Sequence, residues 1–222
     1  MKTELRYGII GAGSMGREHI ENIKVMGGAA VTAISDPHVP SQEAALAMAP
    51  GATVFSDHRA MLDSGLIDAV VIATPNDTHA AVLKDALETD LAVFVEKPLA
   101  TTVEDLKSIL SWDDKRSAMT WMGLEYRFMP PVAEAIARAQ EGEAGKIHQV
   151  SIREHREPFY PKVDNWNRFA ERTGGTLVEK CCHYFNLMDI VIGQQPIRVF
   201  ASGGQSVNHL NEKHDGKQAD ML

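Results

Sequence analysis

Read from the N-terminus, the chain alternates short, almost wholly apolar runs with longer amphipathic ones. "LRYGII" is followed by "MGREHIENIKVM", "AAVTAIS" by "SQEAALAMA", "DAVVIAT" by "THAAVLKDALE", and "LAVFVE" by "TVEDLKSILS". Strand, helix, strand, helix in this rhythm predicts an α/β fold, a doubly wound parallel sheet covered on both faces, and strands apolar throughout agree with burial from both sides. A shorter strand, "ATVF", belongs between the second and fourth units, and "AMTWMGL" closes the sheet. These elements make a first domain of residues 1–122.

Beyond "EYRFMPP" the pattern changes. The helix "PVAEAIARAQ" leads into an extended run, "KIHQVSIREHREP", then an aromatic and proline-rich loop, a second long helix from Thr176 to Ile192, and the apolar strand "PIRVFAS". Strands separated by loops and helices predict an α+β second domain with an antiparallel sheet, residues 123–222. The last twenty residues are polar and rich in turn formers. A sheet of so few strands is marginal by itself. The second domain therefore reads as incomplete, with an unpaired edge open to a second copy of the chain, a homo-oligomer through the second-domain sheet.

Composition narrows the classes. Hydrophobic residues are 44% and charged residues 23% of the 222, ordinary for a globular protein. The net charge of −8 argues against nucleic acid as a partner, because phosphate-binding surfaces are usually basic. No run of eighteen apolar residues crosses a membrane, and "MKTELRYGII" breaks the apolar stretch that a signal peptide needs, so the expected location is cytoplasmic. The two cysteines, Cys181 and Cys182, are adjacent, which suits neither a disulfide framework nor a zinc site and predicts buried thiols and no metal.

The first candidate chemistry lies in "YGIIGAGSMGREHI". Gly11, Gly13 and Gly16 have the G-x-G-x-x-G spacing directly after an apolar strand and at the start of a helix. The three glycines serve a tight turn, close backbone approach to a pyrophosphate, and helix–strand packing. Ala12, Ser14 and Met15 complete the loop, and the helix N-terminus supplies N–H groups for phosphate. The second strand ends in Asp36, twenty residues beyond Gly16. A carboxylate there accepts hydrogen bonds from both ribose hydroxyls of NAD and repels the 2′-phosphate of NADP, so NAD is the expected cofactor and NADP the poorer one.

Ligands of an open parallel sheet bind beyond the carboxyl ends of its strands. Thr74, Pro75, Asn76 and His79 follow the fourth strand, and Glu96 and Lys97 end the fifth. All six are candidates to line the cofactor, His79 having a local capping role as its alternative. Pro98 keeps Lys97 out of helical geometry, and an ammonium at a strand end favours negative charge developing on a substrate oxygen. The alternative is a solvated loop lysine. In the second domain, Glu179, His183 and Asn186 form one stripe at i, i+4 and i+7 on a helix that is otherwise apolar nearly all round. Such a stripe must face partners or a wet cleft. His183 suits proton transfer, with a satisfied core histidine as its alternative. Glu179 suits either that site or a capping box with Thr176. Asp189 is a further candidate, with local capping or pairing as its alternative. Tyr126, Arg127, Tyr160, Trp166 and Arg168 suit sugar stacking and hydrogen bonding as well as they suit core packing.

Together "GAGSMG", "TPNDTH", "EKP" and "GGTLVEKCCHYFNLMD" resemble the Gfo/Idh/MocA family, the glucose–fructose oxidoreductase and inositol dehydrogenase group, from about residue 5 to the end of the chain. The resemblance implies a Rossmann domain followed by an α+β domain with a large open antiparallel sheet. It implies NAD(P)-dependent oxidation or reduction at a hydroxyl carbon of a sugar or polyol. It gives Lys97 the place of the family's catalytic lysine, His183 that of its proton-transferring histidine, and Glu179 an acidic position at which inositol dehydrogenases carry aspartate. Family members resemble one another in having a longer second domain, so the chain is expected to be C-terminally truncated. Two other functions fit the same residues: a non-catalytic NAD-binding module, and an NAD-dependent glycosidase.

Overall fold

A computed structural model describes residues 4–155 and 157–221. The backbone falls into two compact units, Met1–Gly123 and Leu124–Leu222. In the first, β1 (Leu5–Ile10), α1 (Ser14–Val25), β2 (Ala29–Ser35), α2 (Val39–Met48), β3 (Thr53–Phe55), α3 (His58–Leu62), β4 (Ala69–Ile72), α4 (His79–Leu87), β5 (Ala92–Glu96), α5 (Val103–Asp113) and β6 (Thr120–Gly123) follow one another. All six strands are parallel, in the order β3-β2-β1-β4-β5-β6. The order reverses between β1 and β4, which opens the ligand crevice of a doubly wound sheet at their carboxyl ends.

The two periodicities of the sequence produce two cores. Successive strand residues point to opposite faces. Ile9, Ile34 and Val71 therefore meet Ile20 and Ile23 of α1 and Ala45 of α2 on one side. Ile10, Val70, Ile72, Val93 and Val95 meet Met61, Val82, Leu83 and Ile109 of α3, α4 and α5 on the other. Helix α5 starts where Thr102 accepts the Asp105 N–H at 3.1 Å, a side-chain cap that satisfies one orphan donor of the first turn. Helix α3, five residues long, is not announced by the apolar rhythm.

The second unit contains α6 (Pro130–Gln140), α7 (Ala170–Thr173), α8 (Thr176–Glu179), α9 (Cys182–Ile192), β7 (Lys213–His214) and β8 (Lys217–Gln218). The last two pair antiparallel as a short hairpin. Three details differ from the sequence pattern. The runs 146–155 and 196–202 form no ladder among the described residues, and Ile197, Val199 and Phe200 stand exposed; alternation creates a strand only where a neighbour takes its backbone hydrogen bonds. The long helix from Thr176 to Ile192 is broken at Lys180 and Cys181. There Thr176 O accepts both the Lys180 N–H (2.9 Å) and the Cys181 N–H (3.1 Å), a wide turn that inserts one residue into the helical register. The helix is also not buried all round, since Leu177, Phe185 and Ile192 are exposed.

Among the described residues no helix is long and apolar enough to cross a membrane, and no group of three or more His, Cys, Asp or Glu side chains is placed to hold a metal ion. Both cysteines are free and partly buried.

Candidate active site

The glycine loop forms the turn that its spacing predicts. Gly11 has φ +89°, a left-handed conformation, and an added Cβ would lie 2.6 Å from the carbonyl oxygen of Ala73. At Gly16 an added Cβ would lie 2.0 Å from Gly11 O, so this glycine lets α1 sit against the loop. Gly13 has open space where its side chain would stand. It is the N-cap of α1, with no side-chain cap and no acidic residue in the first turn, which leaves the positive helix end clear for an anion.

Asp36, one residue beyond β2, is fixed by two main-chain donors. Ala12 N–H donates to its Oδ2 at 2.7 Å and His38 N–H to its Oδ1 at 2.8 Å. Each carboxylate oxygen keeps acceptor capacity for a ribose hydroxyl. The open cradle at Gly13, the clear helix end and the tethered carboxylate fit a dinucleotide, so this loop is where NAD would be held.

The other predicted residues of this unit lie at the ends of β4 and β5. Thr74 and Pro75 are partly buried, Asn76 is buried, and Thr78 Oγ1 bonds Thr74 Oγ1 at 2.8 Å. His79 is wholly buried. Its Nδ1 lies 2.7 Å from Pro98 O and its Nε2 3.0 Å from Thr74 O. Burial is the largest influence on its pKa and pushes it down, against the two carbonyls and Glu96, which favour the charged ring; Lys97 disfavours it. Glu96 is buried, and Lys97, partly buried, is joined to Pro98 by a cis peptide. Sequence reading misses His19. From α1 its Nε2 reaches Glu96 Oε1 at 2.7 Å, and its ring meets Phe94 edge-on at 5.0 Å. No local pattern announces a contact spanning 77 residues.

In the second unit Gly174 (φ +83°) and Gly175 (φ +76°) turn the chain into α8. The N-cap is Gly175, one residue before the Thr176 that a capping box needs, so Glu179 is not the acid of such a box. His183 is buried. Tyr126 stacks on it with centroids 4.1 Å apart and planes 12° from parallel, and Glu125 Oε1 lies 3.6 Å from Nε2. Lys180, also buried, bonds the Tyr126 hydroxyl and lies 3.6 Å from Glu154. Glu179 and Asn186 are partly buried, and Asp189 is exposed. Of the residues suggested for sugar contact, Arg168 is buried and its Nε donates to Glu212 at 2.8 Å, while Tyr160 is exposed. A cavity of about 450 Å³ is lined by Glu154, Lys180, Cys181, Tyr184, Gln205 and His209 among others, but by neither Glu179 nor His183. Tyr184 is held neutral well above its ordinary range by burial and by its hydrogen bond to Glu154.

Residues 5–124 match the model of an oxidoreductase family, NAD-binding Rossmann fold, and residues 137–221 match the same family's C-terminal alpha/beta domain. The chain belongs to the Gfo/Idh/MocA oxidoreductase family. Its first unit is that family's NAD-binding Rossmann domain. The inositol 2-dehydrogenase of Rhizobium meliloti is 30% identical over 97% of this chain and 67% of its own length. A solved myo-inositol dehydrogenase from Lactobacillus casei, in complex with NAD(H) and myo-inositol, is 33% identical with a TM-score of 0.60, covering 62% of this chain and 42% of that one. A levoglucosan dehydrogenase in complex with NADH and levoglucosan is 25% identical with a TM-score of 0.74, covering 86% and 54%. The chain thus spans 42–67% of the length of these relatives.

Proposed function

We propose that this chain is an NAD-dependent oxidoreductase acting on a secondary alcohol of the sugar or polyol class. The observation that carries the reading is the arrangement at the carboxyl end of the six-stranded sheet. The glycine loop, the tethered Asp36 and the Lys97 segment stand at the ends of β1, β2 and β5. The acidic residue at position 36 favours NAD over NADP, and the relatives that bind inositol or levoglucosan support the substrate class. NAD, when bound, supplies the hydride acceptor. Of the chain's own residues, Lys97 carries the charge that stabilises a developing oxyanion, His183 takes the hydroxyl proton, and Glu179 orients the reacting pair. Tyr126, stacked on His183, supports the imidazole.

A second reading, a cofactor-binding module without turnover, is favoured by the sparse sheet of the second unit, two residues in each strand among those described. Calorimetry with NAD and NADP, followed by a polyol screen for NADH production, separates the readings. We expect tight binding of NAD alone, turnover in the wild type, and loss of turnover with NAD binding retained in Lys97→Met and His183→Asn. Retained turnover in both variants sinks the catalytic assignment, and NAD binding without any turnover supports the module.

A further inference from the structure

Lys97 is held through its main chain from both sides. On the N-terminal side its own N–H donates to Glu96 Oε2 at 3.2 Å, and the other oxygen of that buried carboxylate lies 2.7 Å from His19 Nε2. On the C-terminal side the carbonyl of Pro98 lies 2.7 Å from His79 Nδ1. His79 is 0% exposed, and its Nε2 faces the Thr74 carbonyl at 3.0 Å. Neither ring nitrogen is left for a ligand. The histidine instead joins the loop after β4 to the loop after β5.

A neutral imidazole has one N–H, and two carbonyls compete for it. The contact to Pro98, at 2.7 Å against 3.0 Å, is the better placed to take it; acidification adds a second donor towards Thr74. Glu96 is fixed by its strand and by His19, and Pro98 gives a second handle on the Lys97 backbone.

We propose that His79 is a positioning residue for Lys97, acting through an Nδ1–H···O=C bond to Pro98 that fixes the strand-end loop from which the lysine ammonium is presented. The inference rests on the role given to Lys97 above. A histidine kept only for packing is replaced according to volume, whereas a positioning histidine is replaced according to where its donor stands. Asparagine carries an amide nitrogen near the place of Nδ1, and glutamine carries one near the place of Nε2.

The test compares His79→Asn and His79→Gln with wild type and with Lys97→Met. Thermal unfolding, calorimetric NAD affinity and the NMR signal of ¹³C-methylated Lys97 during NAD titration are measured for each chain, with kcat and KM on a polyol beside them. Both His79 variants are expected to bind NAD within about threefold of wild type, since the glycine loop and Asp36 are untouched. The Asn variant retains the NAD-induced shift of Lys97 and most of kcat. The Gln variant loses the shift, and its kcat falls by roughly 10²-fold at unchanged KM, the scale of an ångström-sized misplacement. Equal losses in the two variants, following their loss of thermal stability, overturn the proposal and leave His79 a packing residue. Full turnover by Lys97→Met defeats the role of Lys97 itself, and failure of the wild type to bind NAD defeats both readings.

Discussion

Gly13 and Gly16 stand three residues apart in one loop, and their surroundings predict different defects. A methyl group at Gly16 meets the Gly11 carbonyl oxygen at 2.0 Å, backbone against backbone, so Gly16→Ala must displace α1. A methyl group at Gly13 enters open space, and the backbone there, at φ −67°, is one that any residue adopts. Gly13→Ala is therefore expected to keep the wild-type melting temperature while weakening NAD by roughly tenfold or more, about 1.4 kcal/mol, because its methyl group stands where the pyrophosphate approaches. Gly16→Ala is expected to lower the melting temperature as well. Calorimetry and thermal unfolding on the two variants check this, and equal NAD affinity in wild type and Gly13→Ala refutes the cofactor reading of the loop. These glycines and Asp36 are legible in the sequence because their role is local: a turn, a helix start, a strand end. The contact of His19 with Glu96 and that of His79 with Pro98 are not, because these partners become neighbours only when β5 takes its place in the sheet.

At the scale of elements, the parallel strands and, apart from α3, the helices between them follow from periodicity, since β4 is apolar and buried at every position and α1 and α4 each turn an apolar face to the sheet. The second unit is less legible because polar contacts hold much of it. Its hairpin region is tied down by Glu212, which lies 2.8 Å from Arg168 Nε and 2.6 Å from His214 Nε2 and also pairs with His209. Burial pushes this carboxyl up, but the hydrogen bonds from His214, Arg168 and His209 outweigh it and bring the pKa from 4.5 down to about 2. A folded pKa below the unfolded one means that the stabilisation is full above about pH 4.5 and fades as the pH falls towards 2. Glu212→Gln is accordingly expected to melt a few degrees lower than wild type at pH 7, with the gap closing through that window. A gap that stays constant from pH 7 to pH 3 contradicts the assignment. The break between α8 and α9 is equally invisible to periodicity, because the extra Thr176 bond adds one residue without changing the apolar pattern. Glu179 and His183 therefore do not share a stripe merely by standing four residues apart.

For the molecule as a whole, the remaining question is what the exposed apolar run 196–202 does. Ile197, Val199 and Phe200 are 101%, 79% and 88% exposed, and the run reads as a strand yet bonds to no other strand among the described residues. Apolar side chains beside unpaired backbone groups favour pairing with another chain. The net charge of −8 opposes association only over about a Debye length, roughly 8 Å at physiological salt, so it slows approach without preventing contact. Self-association that rises with protein concentration and with salt is therefore expected in size-exclusion chromatography. The triple substitution Ile197→Ser, Val199→Ser, Phe200→Ser should shift the chain to a monomer without changing NAD affinity, because none of these residues belongs to the unit that carries the glycine loop. A wild-type chain that elutes as a monomer at every concentration shows that this run does not drive assembly. If the triple variant also loses NAD binding, assembly and cofactor binding are coupled, and the first unit does not act independently of the second.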